Sequence, residues 1–409
     1  MEQIVATNQY QSSFGMLGSS WAGATCGAEA FQPVTATIGD DQQQPVSTKT
    51  WRGEAPLGMN VGTLAPYYPM SATHAAVCQH VDVIRANLET CFRSMSLFCR
   101  YSDSGMWLQA PEQLEIHLNL WRRRNDEETI FVELTRLSGD AVVFHQYARC
   151  ILSAAGGNFS QTRHFLQGKT SAPGTLQRPA MSSVGMAQAK EAIEIAAHML
   201  ADPRSKLTGM EMLSILTDMN KSSLQTCQAT SRMVLFGECH TCTTAKLPLV
   251  HDLIQAALSE SDNGYPMNCV DYDSDEDDVL GGTENREAST MKHYALTVFA
   301  NALEVMQQDP ALSAWTEFVS RSAGRNIFSH LVDEEMAEAM NRPHDASLAI
   351  RSLSVVAACN DTLRRQLSQP WVLEDISSAL DMGRKCHANL EFECTRLLAT
   401  LGVYTPTQA

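Results

Sequence analysis

A small α+β domain followed by an all-α array is the fold class this sequence predicts, and three observations carry it. Residues 96–137 break into four short segments rich in aromatic and β-branched residues, separated by turn signals. An apolar period of three and four residues flanks this stretch on either side, as amphipathic helices would. From Met181 onward only helical periods of 10–18 residues follow, with no convincing strand.

Composition bounds the function. The 409 residues are 44% hydrophobic and 19% charged, enough for a sizeable core. Thirty Lys and Arg against 46 Asp and Glu give a formal charge of −16, which argues against a nucleic-acid surface. No apolar run reaches the roughly 18 residues that cross a bilayer, and the opening MEQIVATNQYQSS lacks the basic-then-apolar pattern of a signal peptide. The expectation is a chain without a transmembrane segment, in the cytoplasm, with the nucleus or a membrane surface as alternatives. Twelve cysteines without regular spacing read as reduced core residues.

Residues 1–70 are rich in Gly, Gln, Ser, Thr and Pro, with DDQQQP at 40–45 and APYYP at 65–69, and read as a disordered arm. Ser71 suits the N-cap of a helix over 71–95 in which Val77, Val81, Ile84, Leu88, Cys91 and Phe92 share one face. The segments SLFCRYS, MWLQA, LEIHLNLW and ETIFVELTRL then predict a four-stranded antiparallel meander. In the third, Leu114, Ile116, Leu118 and Leu120 alternate with Glu115, His117 and Asn119, so one face is buried. After Ser138-Gly139-Asp140, a helical stripe of Val143, Tyr147, Cys150, Ile151 and Ala154 closes the domain at 71–156. Residues 157–180 are polar and contain Gly and Pro, as a linker would, and 181–409 form the helical array, with an acidic disordered loop at about 260–289.

The array carries a loose repeat. Ala349, Leu353 and Val356 align with Cys394, Leu398 and Leu401 at an offset of 45 residues, and Ala295, Phe299 and Ala302 supply a copy 54 residues earlier. Spacings of this order suit a helical solenoid. The stretch NDTLRRQLSQPWVLEDISSALDMGRKCHANLEFECTRLLATLG resembles armadillo repeats in its order of short, lid and core helix. That resemblance implies an armadillo/HEAT-like solenoid over 181–409 whose concave face binds a protein segment. Importin-like members hold a basic peptide with Asn and Trp on successive core helices; here Asn301 occupies such a place, whereas Trp315 and Trp371 fall outside those helices. With 17 basic and 31 acidic residues, the array carries a net −14, which favours a basic peptide as partner.

The smaller domain resembles the kinase-associated C-terminal domain of the microtubule-affinity-regulating and AMP-activated kinases, on the stretch ETIFVELTRLSGDAVVFHQYARCILSAA. The resemblance implies binding of anionic phospholipid, restraint of a kinase domain, or docking of a partner subunit.

Few motifs carry chemistry. Trp121 followed by Arg122, Arg123 and Arg124 forms the one cationic run, suited to lipid phosphates or an acidic partner, although Asp126, Glu127 and Glu128 follow at once. In DYDSDEDD, Asp271, Asp273 and Asp275 have the spacing of a calcium loop, but Glu276 stands where Gly is needed and Gly282 where Glu is needed. Ser274, followed by acidic residues, is a candidate phosphorylation site. Cys239 and Cys242 make one C-x-x-C, but Cys227, His251 and Cys269 add no second paired spacing, so no metal or other cofactor is expected. No nucleophile elbow or zinc-protease helix occurs. The reading is a non-enzymatic scaffold or adaptor, with a regulatory subunit of a protein kinase as the alternative.

Overall fold

The computed structural model describes residues 62–63, 72–102, 105–123, 126–170, 183–237, 252, 256, 279–308 and 327–403. Strands β1 (Gly62–Thr63), β2 (Ala72–Val77), β3 (Phe98–Ser102), β4 (Gly105–Gln109), β5 (Glu115–Arg123) and β6 (Asp126–Ser138) form one sheet. Its order is β2-β6-β5-β4-β3, antiparallel throughout, with the two-residue β1 running parallel to β5 at Trp121 and Arg122.

Five antiparallel strands stand where the sequence predicts four. The extra one, β2, covers residues that the helical period assigns to the first helix. It pairs with β6 from Ala72 opposite Thr135 to Val77 opposite Ile130. β6 is 13 residues long, and β2 satisfies backbone groups that would otherwise lie along an open edge. The helix α1 (Val81–Met95) therefore starts later, with His80 as N-cap accepting from the Asp82 N–H. Ser71 lies outside the described residues.

The alternation in β5 holds: Leu114, Ile116, Leu118 and Leu120 are buried, and they share a core with Ile84, Leu88 and Phe92 of α1. Phe144, Tyr147 and Ile151 of α2 (Ala141–Ala155) join the same core. Asp140 caps α2 by accepting from the N–H groups of Val142 and Val143. Gly139 before it has φ of +94°, and a Cβ there would lie 2.8 Å from Leu114 Cα, so the turn requires glycine. Residues 160–170, inside the predicted linker, form helix α3 (Ser160–Thr170), which packs on α1 and α2. The Phe165 and Tyr147 rings meet edge-to-face with centroids 5.0 Å apart, a contact that stabilises a weakly amphipathic segment.

Beyond residue 181, no strand occurs among the described residues. The helices are α4 (Ser183–Ala201), α5 (Lys206–Thr217), α6 (Leu224–Phe236), α7 (Val279–Gln307), α8 (Pro343–Cys359), α9 (Asp361–Leu367), α10 (Pro370–Cys386) and α11 (Ala388–Thr400). A π-helix at Leu331–Met336 precedes α8. The start of α7 turns the last part of the predicted acidic loop into helix; residues 271–278 lie outside the described residues.

α7 packs on α8, and α8 packs on α11. The aligned residues make this packing: Ala295, Phe299 and Ala302, then Ala349, Leu353 and Val356, then Cys394 and Leu398 are all buried. α10 and α11 form a hairpin around His387. They pack tightly at Gly383, where a Cβ would sit 2.8 Å from Glu391 Cα and closer still to its nitrogen. Gly383→Ala should therefore force the hairpin apart and cost about 1–3 kcal/mol, measurable as a lower urea midpoint; an unchanged midpoint would contradict this packing.

Candidate interaction surfaces

The predicted cationic tip begins on β5. Arg122 and Arg123 are the last residues of that strand, while Arg124, like Ser274 and the Cys239/Cys242 pair, lies outside the described residues. Trp121 is not a free exposed ring. It is half-buried opposite Phe131, and its indole N–H donates to the Glu133 carboxylate, which is only 6% exposed. Period-2 geometry places Trp121 on the sheet face away from the helices, with Asn119 and His117 on the same face. There His117 Nδ1 and Asn119 Nδ2 are 3.3 Å apart. Burial lowers the His117 pKa, with Glu133 acting against it. Farther across, the Arg100 guanidinium lies 5.1 Å from the Phe98 ring centre and 5.3 Å from that of Trp107. This face is aromatic and polar together, and Trp121 belongs to its framework.

A second surface crosses the three serial helices. Glu304 of α7 pairs with Arg351 of α8, and its other oxygen lies 2.9 Å from Arg396 of α11. Burial raises the Glu304 pKa, but the hydrogen bonds and charges of the two arginines outweigh it and hold the group below the usual carboxylate range. Glu393 extends the row at 3.5 Å from Arg396. Its pKa is pushed up to about 7, by burial first and by the Glu304 charge, against the arginines. Phe392, one residue before it, is 64% exposed. Asn301, the residue matched to the peptide-holding position, is instead buried, and its amide lies 3.4 Å from the Ser214 carbonyl of α5. It ties two helices together.

The seam between sheet and helices is polar and closed. Ser96, in the left-handed conformation at the end of α1 (φ 55°), accepts from the Asn389 N–H at 2.9 Å. A glycine would relax the backbone there but has no side-chain oxygen to accept this bond. Nearby, Arg93 pairs with Glu391 at 2.9 Å. At the β4–β5 turn, His293 Nε2 lies 3.0 Å from the Pro111 carbonyl and its Nδ1 lies 2.7 Å from Asp345. His344 Nε2 lies 3.1 Å from the Gln109 carbonyl, and its Nδ1 lies 2.9 Å from His387 Nε2. Behind them the π-helix places Glu335, fully buried, 2.6 Å from Lys292 and 3.3 Å from Arg342.

Sequence reasoning missed this seam. The available signal was the doublets Lys292-His293 and His344-Asp345, charged or titratable pairs at the mouths of apolar helical periods. Among the described residues, no group of three or more His, Cys, Asp or Glu is arranged to hold a metal ion. No helix among them is long and apolar enough to cross a membrane. Comparison with known protein families, curated proteins and solved structures finds no match to the chain.

Proposed function

We propose that the chain is a non-enzymatic scaffold or adaptor that binds a protein segment on an armadillo-like face of α7, α8 and α11. The observation that carries this reading is the serial packing of those helices with one charged row, Glu304, Arg351, Arg396 and Glu393, running across them. A Lys- and Arg-rich segment is the favoured partner, because residues 181–409 carry a net −14. The sheet domain is the second module, contacting anionic lipid or another protein through Arg122, Arg123 and Arg124.

Cross-linking of the full chain to a partner recovered from cell extract, followed by mass spectrometry, tests the first module. Cross-links and protection should concentrate on α7, α8 and α11, and Glu304→Gln, which removes negative charge from the row, should weaken capture of a basic segment; contacts confined to other surfaces would overturn the assignment. For the second module, vesicles containing phosphatidylserine should bind in a salt-sensitive way. The triple change of Arg122, Arg123 and Arg124 to Glu should reduce that binding more than tenfold, since each basic residue near an anionic surface contributes about 1 kcal/mol. Altered kinase activity without any lipid requirement would favour the kinase-regulator alternative.

A further inference from the structure

The sheet domain is gripped by imidazoles from three separate places: His293 in α7, His344 in the first turn of α8, and His387, the N-cap of α11. Their contacts assign the protons. The Gln109 carbonyl can only accept, so His344 Nε2 carries hydrogen. At the far end the Leu390 N–H lies 3.1 Å from His387 Nδ1, which must offer a lone pair. His387 is then the Nε2–H tautomer and donates to the bare Nδ1 of His344. The chain from Leu390 to Gln109 is saturated by two neutral rings. One further proton sets two N–H groups head-on, either between the rings or between His387 and Leu390.

We propose that this pair is an acid-releasable latch: one further proton breaks the chain either at the His344–His387 bond or at the Leu390 cap, and loosens the start of α11 from α8. The charged groups around the rings are already engaged, although the Asp345 and Glu112 charges act against the lowering of the His344 pKa. From the turn, Glu112 is engaged by the Tyr147 hydroxyl at 2.6 Å. From α8 and α7, Asp345 is held by His293. Arg342 and Lys292 are held by Glu335 of the π-helix, and Glu391 of α11 by Arg93 of α1. Cys386 of α10 and Cys99 of β3, which line a small apolar crevice with His387, are thiols that burial pushes upward and keeps neutral.

Burial and the neighbouring His293 depress the pKa of His344 from 6.5 to about 4, and burial and His344 hold that of His387 well below its usual value. A histidine whose folded pKa is lowered favours the closed state above its ordinary pKa and opposes it as the pH falls towards the lowered one. The latch is therefore closed at neutral pH and yields between about pH 6.5 and 4.

The test uses the full chain with ¹⁵N-labelled histidine. At pH 7.5, two rings should show the neutral Nε2–H signature. On acidification they should protonate together with a rise in radius of gyration by small-angle scattering, while far-UV circular dichroism keeps its helical signal. In the double variant H344Q/H387Q, which has no proton to gain there, the expansion should move at least one pH unit lower. Ring protonation without expansion, expansion only with loss of helix, or an unmoved transition in the variant would each overturn the latch. Should the variant fail to fold at pH 7.5, the coincidence of ring titration and expansion in the natural chain decides alone.

Discussion

Glu335→Ala should lower the unfolding free energy by about 3–5 kcal/mol, the largest effect expected of any single truncation in the seam. Glu335 is fully buried, and Lys292, itself about 5% exposed, lies 2.6 Å from its carboxylate; Arg342 and His330 approach the same group at 3.3 Å and 3.5 Å. Burial raises the carboxyl pKa, but the His330 hydrogen bond and the charges of Arg342 and Lys292 overcome that and bring it below its ordinary value, against Asp345. Removing the carboxylate leaves Lys292 in the interior without its counter-charge and takes one partner from the half-buried Arg342. Because a lowered carboxyl pKa stabilises the fold above the ordinary value, the difference between wild type and variant should shrink as acid protonates Glu335. Urea unfolding at pH 7.5 checks the magnitude. The pair Lys292→Met with Glu335→Leu should recover most of the loss, since similar apolar volumes replace an ion pair that is costly to desolvate. A loss below about 1 kcal/mol would mean that water reaches this site.

Glu393→Gln should act in the opposite direction. The residue is 9% exposed, and its pKa is raised from 4.5 to about 7 because burial outweighs Arg396 and Arg351. A carboxyl whose folded pKa is raised contributes stability below its ordinary value and loses it as the pH rises through the folded one. The natural chain should therefore lose about 3 kcal/mol through this group between pH 4.5 and pH 8, because a tenfold change in proton affinity corresponds to about 1.4 kcal/mol. The glutamine variant should match it near pH 4.5 and exceed it by a similar amount at pH 8. Parallel stability curves for the two proteins would show that Glu393 is solvated and the charged row more open than described.

Where the sequence succeeds and where it fails follows from the range of the forces involved. The inward run Ile116, Leu118 and Leu120, the helical stripe through Tyr147 and Ile151, the buried triads at Ala295 and Ala349, and the buried pair Cys394 and Leu398 were all legible as periods of 2 or 3.6. The same local test misled at residues 72–77. Val77, Val81 and Ile84 look like one helical face, yet the chain breaks at His80 because β6 offers a full ladder of backbone partners to the residues before it. In α3, Phe165 and the buried Thr162 are too few to make a pattern, and only α1 and α2 give them a surface.

The sites divide in the same way. Trp121 was visible as a candidate, but its partner Glu133 lies 12 residues on, and strand register brings them together. Asn301 matched a groove position by spacing and is buried against α5 by packing. Residues 109, 111, 293, 344 and 387 share no local pattern, so their meeting could not be read from the chain.

By itself, the sequence determined the order of apolar periods, hence an α+β domain ahead of a helical array, because burial of one face is a property of neighbours along the chain. The tertiary structure decided the strand count, the fate of Trp121 and the histidine seam. Those depend on satisfying buried polar groups, and the partners that satisfy them arrive from residues far away in sequence.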